Sequence, residues 1–192
     1  KFTKNNKPYF LHICYTAPHY PLHAKPKDIK KYIGKYKMGW EEMRNQRYSR
    51  LKKMGLIDSG WKLSGKDSRS YDWDSANQEH EDLRMAVYAA MIDSMDQNIG
   101  RLMNVIKNNK GADNTLVLFL SDNGGCAEEP GGRSPDIIPG PKEFYATVGP
   151  SWGWAQNSPF RRYKSWAHEG GIATPCIAWW PGRVPSGGIT KE

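Results

Sequence analysis

The sequence has 192 residues, 38% of them hydrophobic and 25% charged, with 28 Lys and Arg against 20 Asp and Glu. That length and composition suit one globular domain or a little more, and no window approaches about 18 consecutive apolar residues, so no helical membrane span is expected. The formal charge of +8 favours anionic partners, but the basic residues are spread through 25–67 and 161–164 without a nucleic-acid motif, which sets nucleic acid aside.

The chain begins with Lys1 rather than Met and enters a strand pattern within a few residues, which reads as a piece of a longer protein. Lys7 to Tyr15 is rich in β-forming residues and predicts a strand. It ends in Thr16-Ala17-Pro18-His19-Tyr20-Pro21-Leu22-His23-Ala24, where two prolines forbid regular pairing and give His19 a defined backbone position. Residues 25–78 are polar and lack a sustained apolar period. Short helices are expected at 27–36 and 41–54 and a loop at 64–77, an insertion of the kind that covers a sheet edge or shapes a pocket mouth.

From about Glu79 to Asn109 the pattern becomes helical. Met85, Tyr88, Ile92, Met95, Ile99, Leu102 and Ile106 draw one apolar stripe at helical spacing, which docks the helix on a sheet. Gly111 and Asp113-Asn114 end it and lead into Thr115 to Leu120, an uncharged run that predicts a strand buried on both faces. Ser121-Asp122-Asn123-Gly124-Gly125 stops that strand with turn chemistry. Asp122 and Asn123 therefore emerge at the carboxyl end of a core strand, where open α/β sheets hold ligands. Their hard oxygen donors suit Ca²⁺ or Mg²⁺; the alternative is an Asx-type turn in which Asp122 bonds only local backbone.

Residues 126–157 read as a long functional loop, and a third buried strand is expected from Thr174 to Trp180. The helix-to-strand succession makes the chain α/β. Three cysteines, Cys14, Cys126 and Cys176, fit neither a disulfide framework nor a zinc pattern. Cys14 and Cys176, in strand-like runs, are expected to be buried small hydrophobes.

Three separated motifs then line up in order and spacing: Thr16 to Ala24, Ser121 to Gly125 after a helix containing Met95-Asp96-Gln97-Asn98-Ile99-Gly100, and Tyr163-Lys164-Ser165-Trp166-Ala167-His168-Glu169-Gly170-Gly171-Ile172-Ala173-Thr174-Pro175. Together they resemble the type I sulfatases of the arylsulfatase family, over nearly the whole chain apart from the variable 25–78 insertion and the 126–157 pocket loop. The resemblance implies an alkaline-phosphatase-like α/β sandwich, helices on a mainly parallel sheet, incomplete because the N-terminal part is missing, so that residues 1–192 are a partial catalytic domain. It implies hydrolysis of sulfate esters, with sulfated glycans as candidate substrates. Asp122 and Asn123 map onto ligands of the active-site Ca²⁺, with Mg²⁺ less favoured. His19 and Lys164 map onto sulfate-contacting, catalytic residues, with His19 suited to general-acid work. Gly170-Gly171 is expected to supply a tight turn. Where many relatives have Arg, this sequence has Ala173.

The family's formylglycine nucleophile arises from a C/S-x-P-x-R motif, and none of the three cysteines opens one. The nucleophile and the first acidic metal ligands are expected in the missing N-terminal part, so the chain alone is expected to be inactive and to hold Ca²⁺ weakly. Open sheet edges are expected to invite dimerisation. Localisation by resemblance is periplasmic or secreted, or lysosomal in a eukaryote. Two other readings compete: a phosphoesterase or phosphonate hydrolase of the same superfamily, and a non-catalytic sulfated-glycan-binding module with Trp152, Trp154 and Trp166 as its platform.

Overall fold

The computed structural model describes residues 7–190. In chain order these form α1 (Pro26–Ile29), α2 (Gly39–Lys53), α3 (Gln78–Lys107), β1 (Val117–Leu120), α4 (Gly149–Gln156), α5 (Glu169–Ile172) and β2 (Cys176–Trp179). The chain is thus mixed α/β, as its sequence pattern predicts.

The long helix α3 is the spine. Asn77 caps it by accepting the His80 amide at 3.2 Å, satisfying one of the otherwise unpaired first-turn donors. The predicted stripe faces inward only in part. Met85 is buried, whereas Ile92 is 39% exposed. In the first half of the helix Ala86, Val87, Ala90 and Met91 are also buried, and Met85, Val87 and Met91 share one core cluster with Trp40 of α2 and with Trp152, Trp154 and Ala155 of α4. Asp82, buried as well, accepts the Gly34 and Tyr36 amides at 2.7 and 2.8 Å, tying the polar 25–78 stretch to the helix.

The centre of the core is α4, inside the segment whose glycines and prolines read as a loop. Gly149-Pro150 opens it with proline in the first turn, the position where a missing N–H costs least. A Cβ on Gly153 would sit 2.6 Å from that of Ala127, so only glycine lets the two segments touch. Trp152 is fully buried and meets Tyr36, Trp40 and Trp73 edge-on, with ring centroids 6.0, 5.8 and 6.1 Å away. Such pairs add about 0.5–1.5 kcal/mol each beyond burial. Buried Arg44 stacks on Trp154 at 3.9 Å and donates to the Trp154 carbonyl at 2.6 Å and the Ser64 carbonyl at 2.8 Å. Trp152 and Trp154 are therefore core residues, and a glycan platform built on them is excluded; of that trio only Trp166 is exposed.

The strands differ most from expectation. β1 and β2 pair antiparallel, Val117 opposite Trp179 and Leu120 opposite Cys176, as the one sheet among the described residues. A continuous apolar run carries information about burial and none about the direction of its partner, so a mainly parallel arrangement does not follow from it. Nor are the strands buried: Leu118, Leu120 and Ile177 are 55%, 56% and 62% exposed. Residues 7–16 form no strand, though the Tyr15 hydroxyl donates to Asn98 on α3 at 2.9 Å. Cys14 and Cys176 are exposed rather than buried, since both lie on these open apolar segments.

Candidate active site

His19 sits in the turn after residue 16, its amide bonded to the Thr16 carbonyl at 3.0 Å. Its Nδ1 lies 2.9 Å from the Tyr20 carbonyl and its Nε2 3.0 Å from Lys164 Nζ. A carbonyl only accepts and an ammonium only donates. Nδ1 thus carries the proton and Nε2 presents its lone pair, so in this arrangement the proton facing the site belongs to Lys164.

Lys164 is held by its backbone. Its amide donates to the Gly125 carbonyl at 3.1 Å, and its neighbours Arg162 (φ 66°) and Ser165 (φ 76°) both adopt the left-handed region. For residues with a Cβ that conformation costs of order 1 kcal/mol and persists only where the surroundings enforce it. Nζ also faces Glu128 Oε2 at 3.8 Å, and the same oxygen accepts the Tyr20 hydroxyl at 2.5 Å. The two shifts run in opposite directions, as one hydrogen bond between a neutral phenol and a carboxylate requires. The hydrogen bond to Glu128 is the main cause pushing the Tyr20 hydroxyl up to about 12, and that bond, helped by Lys164, holds the Glu128 carboxyl below the usual carboxylate range.

Asp122 and Asn123 lie just beyond β1. The Ser121 hydroxyl donates to the Asn123 carbonyl at 2.9 Å and the Thr174 hydroxyl donates to the Ser121 carbonyl at 3.0 Å. The turn is stitched by these hydroxyls and not by an Asx bond from Asp122. Asp122 is exposed, and its carboxylate and the Asn123 side-chain amide make no hydrogen bond or ion pair among the described residues. Two uncommitted hard oxygen donors fit Ca²⁺ or Mg²⁺.

A glycine clasp joins this turn to the Lys164 segment. Gly124 donates to the Gly171 carbonyl at 2.9 Å, and Gly125 to Asn157 Oδ1 at 2.8 Å. A Cβ would fall 1.8 Å from the Gly170 carbonyl oxygen at Gly124, 2.1 Å from that of Arg162 at Gly170, and 2.0 Å from that of Trp166 at Gly171. None of the three has a positive φ. Gly170 and Gly171 are therefore needed for close backbone approach, not for the tight turn their sequence suggests. Asn123 is two residues and Asp122 three residues from Gly125, so the two metal-type donors lie within about 7 and 11 Å of chain from the residue whose carbonyl anchors Lys164.

The structure thus brings His19 and Lys164 into contact and ties the Asp122-Asn123 turn to them through backbone. Three neighbours to which the sequence assigns no role at the site join them: Tyr20, Cys126 and Glu128. The signal was the i, i+2 spacing of Cys126 and Glu128, which puts both on one side of an extended segment.

Comparison with known proteins gives one consistent result. The family model described as Sulfatase matches residues 1–192. The chain is similar to an arylsulfatase of Klebsiella aerogenes, 34% identical over 98% of this chain and 44% of the relative. It is also similar to an uncharacterized sulfatase of Schizosaccharomyces pombe, 32% identical over the whole chain and 38% of the relative. An N-acetylgalactosamine-6-sulfatase of Sus scrofa is 30% identical over 55% of the chain. The chain spans less than half the length of these curated relatives.

Proposed function

Because the chain belongs to the sulfatase family, we propose that the protein of which it is part hydrolyses sulfate esters, with His19 and Lys164 as the groups that receive the sulfate. The observation that carries this is the 3.0 Å contact between Lys164 Nζ and His19 Nε2, made by residues 145 positions apart in the chain. An ammonium there, with Glu128 as its counter-charge, is set to exchange its partners for sulfate oxygens and to hold the charge that grows on the leaving oxygen. His19, its Nδ1–H fixed on the Tyr20 carbonyl, orients that ammonium; once Lys164 turns to sulfate, Nε2 is free to relay a proton.

Asp122 and Asn123 would hold the divalent cation, Ca²⁺ in preference to Mg²⁺, and that ion when bound screens negative charge on the sulfate oxygens. The formylglycine nucleophile and further acidic ligands would come from sequence beyond this chain, so residues 1–192 act as one part of a catalytic domain. The 25–78 and 126–157 segments flank the site and set substrate preference, for which sulfated glycans suit the overall positive charge. The exposed apolar residues of β1 and β2 support dimerisation through the sheet. No described helix is long and apolar enough to cross a membrane, and the location proposed is periplasmic or secreted, or lysosomal in a eukaryote.

The test is turnover of paired aryl sulfate and aryl phosphate esters by the full-length protein with Ca²⁺. The expected result is preferential sulfate release, lost on chelation. Faster phosphate release would favour the phosphoesterase reading, and no release of either would leave a non-catalytic binding role, one that does not use the buried Trp152 and Trp154.

A further inference from the structure

Next to the glycine clasp lies a donor set that shares His19 and Glu128 with the sulfate site and adds Cys126, to which sulfate hydrolysis gives no part. A His19 ring nitrogen, the Cys126 sulfur and a Glu128 carboxylate oxygen all lie within 4.8 Å of one another. They come from two segments, with Cys126 and Glu128 forming an i, i+2 pair opposite the His19 turn. Four-coordinate zinc needs such donors about 3.3–3.7 Å apart, so side-chain adjustments of about 1 Å close the set.

Each donor is already oriented. Burial pushes the Cys126 thiol up, and the Glu128 amide, donating to Sγ at 3.4 Å, offsets part of that by favouring the thiolate a bound metal would require. The Tyr20 hydroxyl fixes the Glu128 carboxylate at 2.5 Å, and the Tyr20 carbonyl fixes His19 through Nδ1 at 2.9 Å. Bonds of this kind orient metal ligands from outside. A positive charge already lies among them: Lys164 Nζ stands 3.0 Å from His19 Nε2 and 3.8 Å from Glu128 Oε2. Two of the three donors therefore already face a cation.

We propose that His19, Cys126 and Glu128 form a second metal site, selective for Zn²⁺ or an ion of its class, whose occupation expels the Lys164 ammonium. One sulfur, one nitrogen and one oxygen with a fourth position open is a zinc-type set, distinct from the all-oxygen pair at Asp122 and Asn123. On binding, the Cys126 thiol gives its proton to solvent as the sulfur–metal bond forms, and Lys164 swings out with its charge. The consequence that zinc inhibits rests on the sulfate reading above; the binding itself does not.

The probe is Co²⁺ titrated into the full-length protein with Ca²⁺ saturating. One Co²⁺ per chain should bind with a thiolate-to-cobalt charge-transfer band in the near ultraviolet. The band should vanish in Cys126→Ser, persist in the Cys14→Ser/Cys176→Ser double variant, and require at least tenfold more Co²⁺ in Glu128→Gln. Lys164→Met should keep the band and bind at least tenfold tighter, because the competing ammonium is gone. No band, a band that survives Cys126→Ser, or unchanged affinity in Lys164→Met would overturn the site. A band in a protein that never releases sulfate would leave the site standing and sink the proposed function instead.

Discussion

Gly124→Ala probes the clasp on which the site depends. The added methyl would lie 1.8 Å from the Gly170 oxygen, 2.8 Å from the Gly170 carbonyl carbon and 2.9 Å from Asn157 Oδ1. The first two are backbone atoms, so no side-chain rotation relieves the overlap and the segments must part by about 1.5 Å to reach ordinary contact. Parting them breaks the Gly124-to-Gly171 bond at 2.9 Å and strains the Lys164-to-Gly125 bond at 3.1 Å, each contributing about 1 kcal/mol. Overpacking adds about 1–3 kcal/mol, for a total of about 3–5 kcal/mol. The chain spans less than half of its relatives' length, so for the full-length protein the shift is about 1–2 °C per kcal/mol, half that of a domain of about 150–250 residues, and Tm should fall by about 3–10 °C. Calorimetry on the full-length protein is the assay. The control is Gly60→Ala, where a Cβ meets nothing within 4 Å and Tm should not fall. A Gly124→Ala variant melting with the wild type would refute the clasp.

Trp152→Ala should cost about 3–5 kcal/mol, as expected for a large buried aromatic, and an unfolding free energy from denaturant titration lowered by less than about 1 kcal/mol would show that α4 is not the core. His80 supplies a pH dependence. Burial pushes its imidazole below the usual value, so the unfolded chain takes up the proton more readily than the folded one. Stability should be fully present above about pH 6.5 and decline as the pH falls below it. Comparing wild type with His80→Gln across pH 5–8 isolates that share, and parallel profiles would contradict it.

What was legible in the sequence had periodicity or a spaced motif behind it. The stripe on α3 marked a helix from 79 to 109, and the structure has it from Gln78 to Lys107. The motifs around His19 and Lys164 marked two residues that the fold puts in contact. What was not legible depended on partners far along the chain. Gly149-Pro150 and Trp152-Gly153-Trp154 read as loop because glycine and proline dominate locally, yet burial against Trp40 and Tyr36 overrides that propensity. The open faces of β1 and β2 could not be foreseen either, since an apolar run records what a strand would bury, not whether its cover lies in the same chain. Glu128 lies in none of the three motifs and is marked only by its i, i+2 spacing from Cys126, so its role emerges from Tyr20 and Lys164 converging on it.

The measurement that tests the account most directly is kcat/KM for an aryl sulfate in full-length Lys164→Ala against wild type. If the ammonium stabilises charge on the transferring sulfate, the value should fall about 10²–10³-fold while the fold, followed by circular dichroism, is unchanged. A variant that retains sulfate hydrolysis within about twofold of wild type would contradict the account, because the contact between Lys164 and His19 would then be a surface pairing with no part in the chemistry.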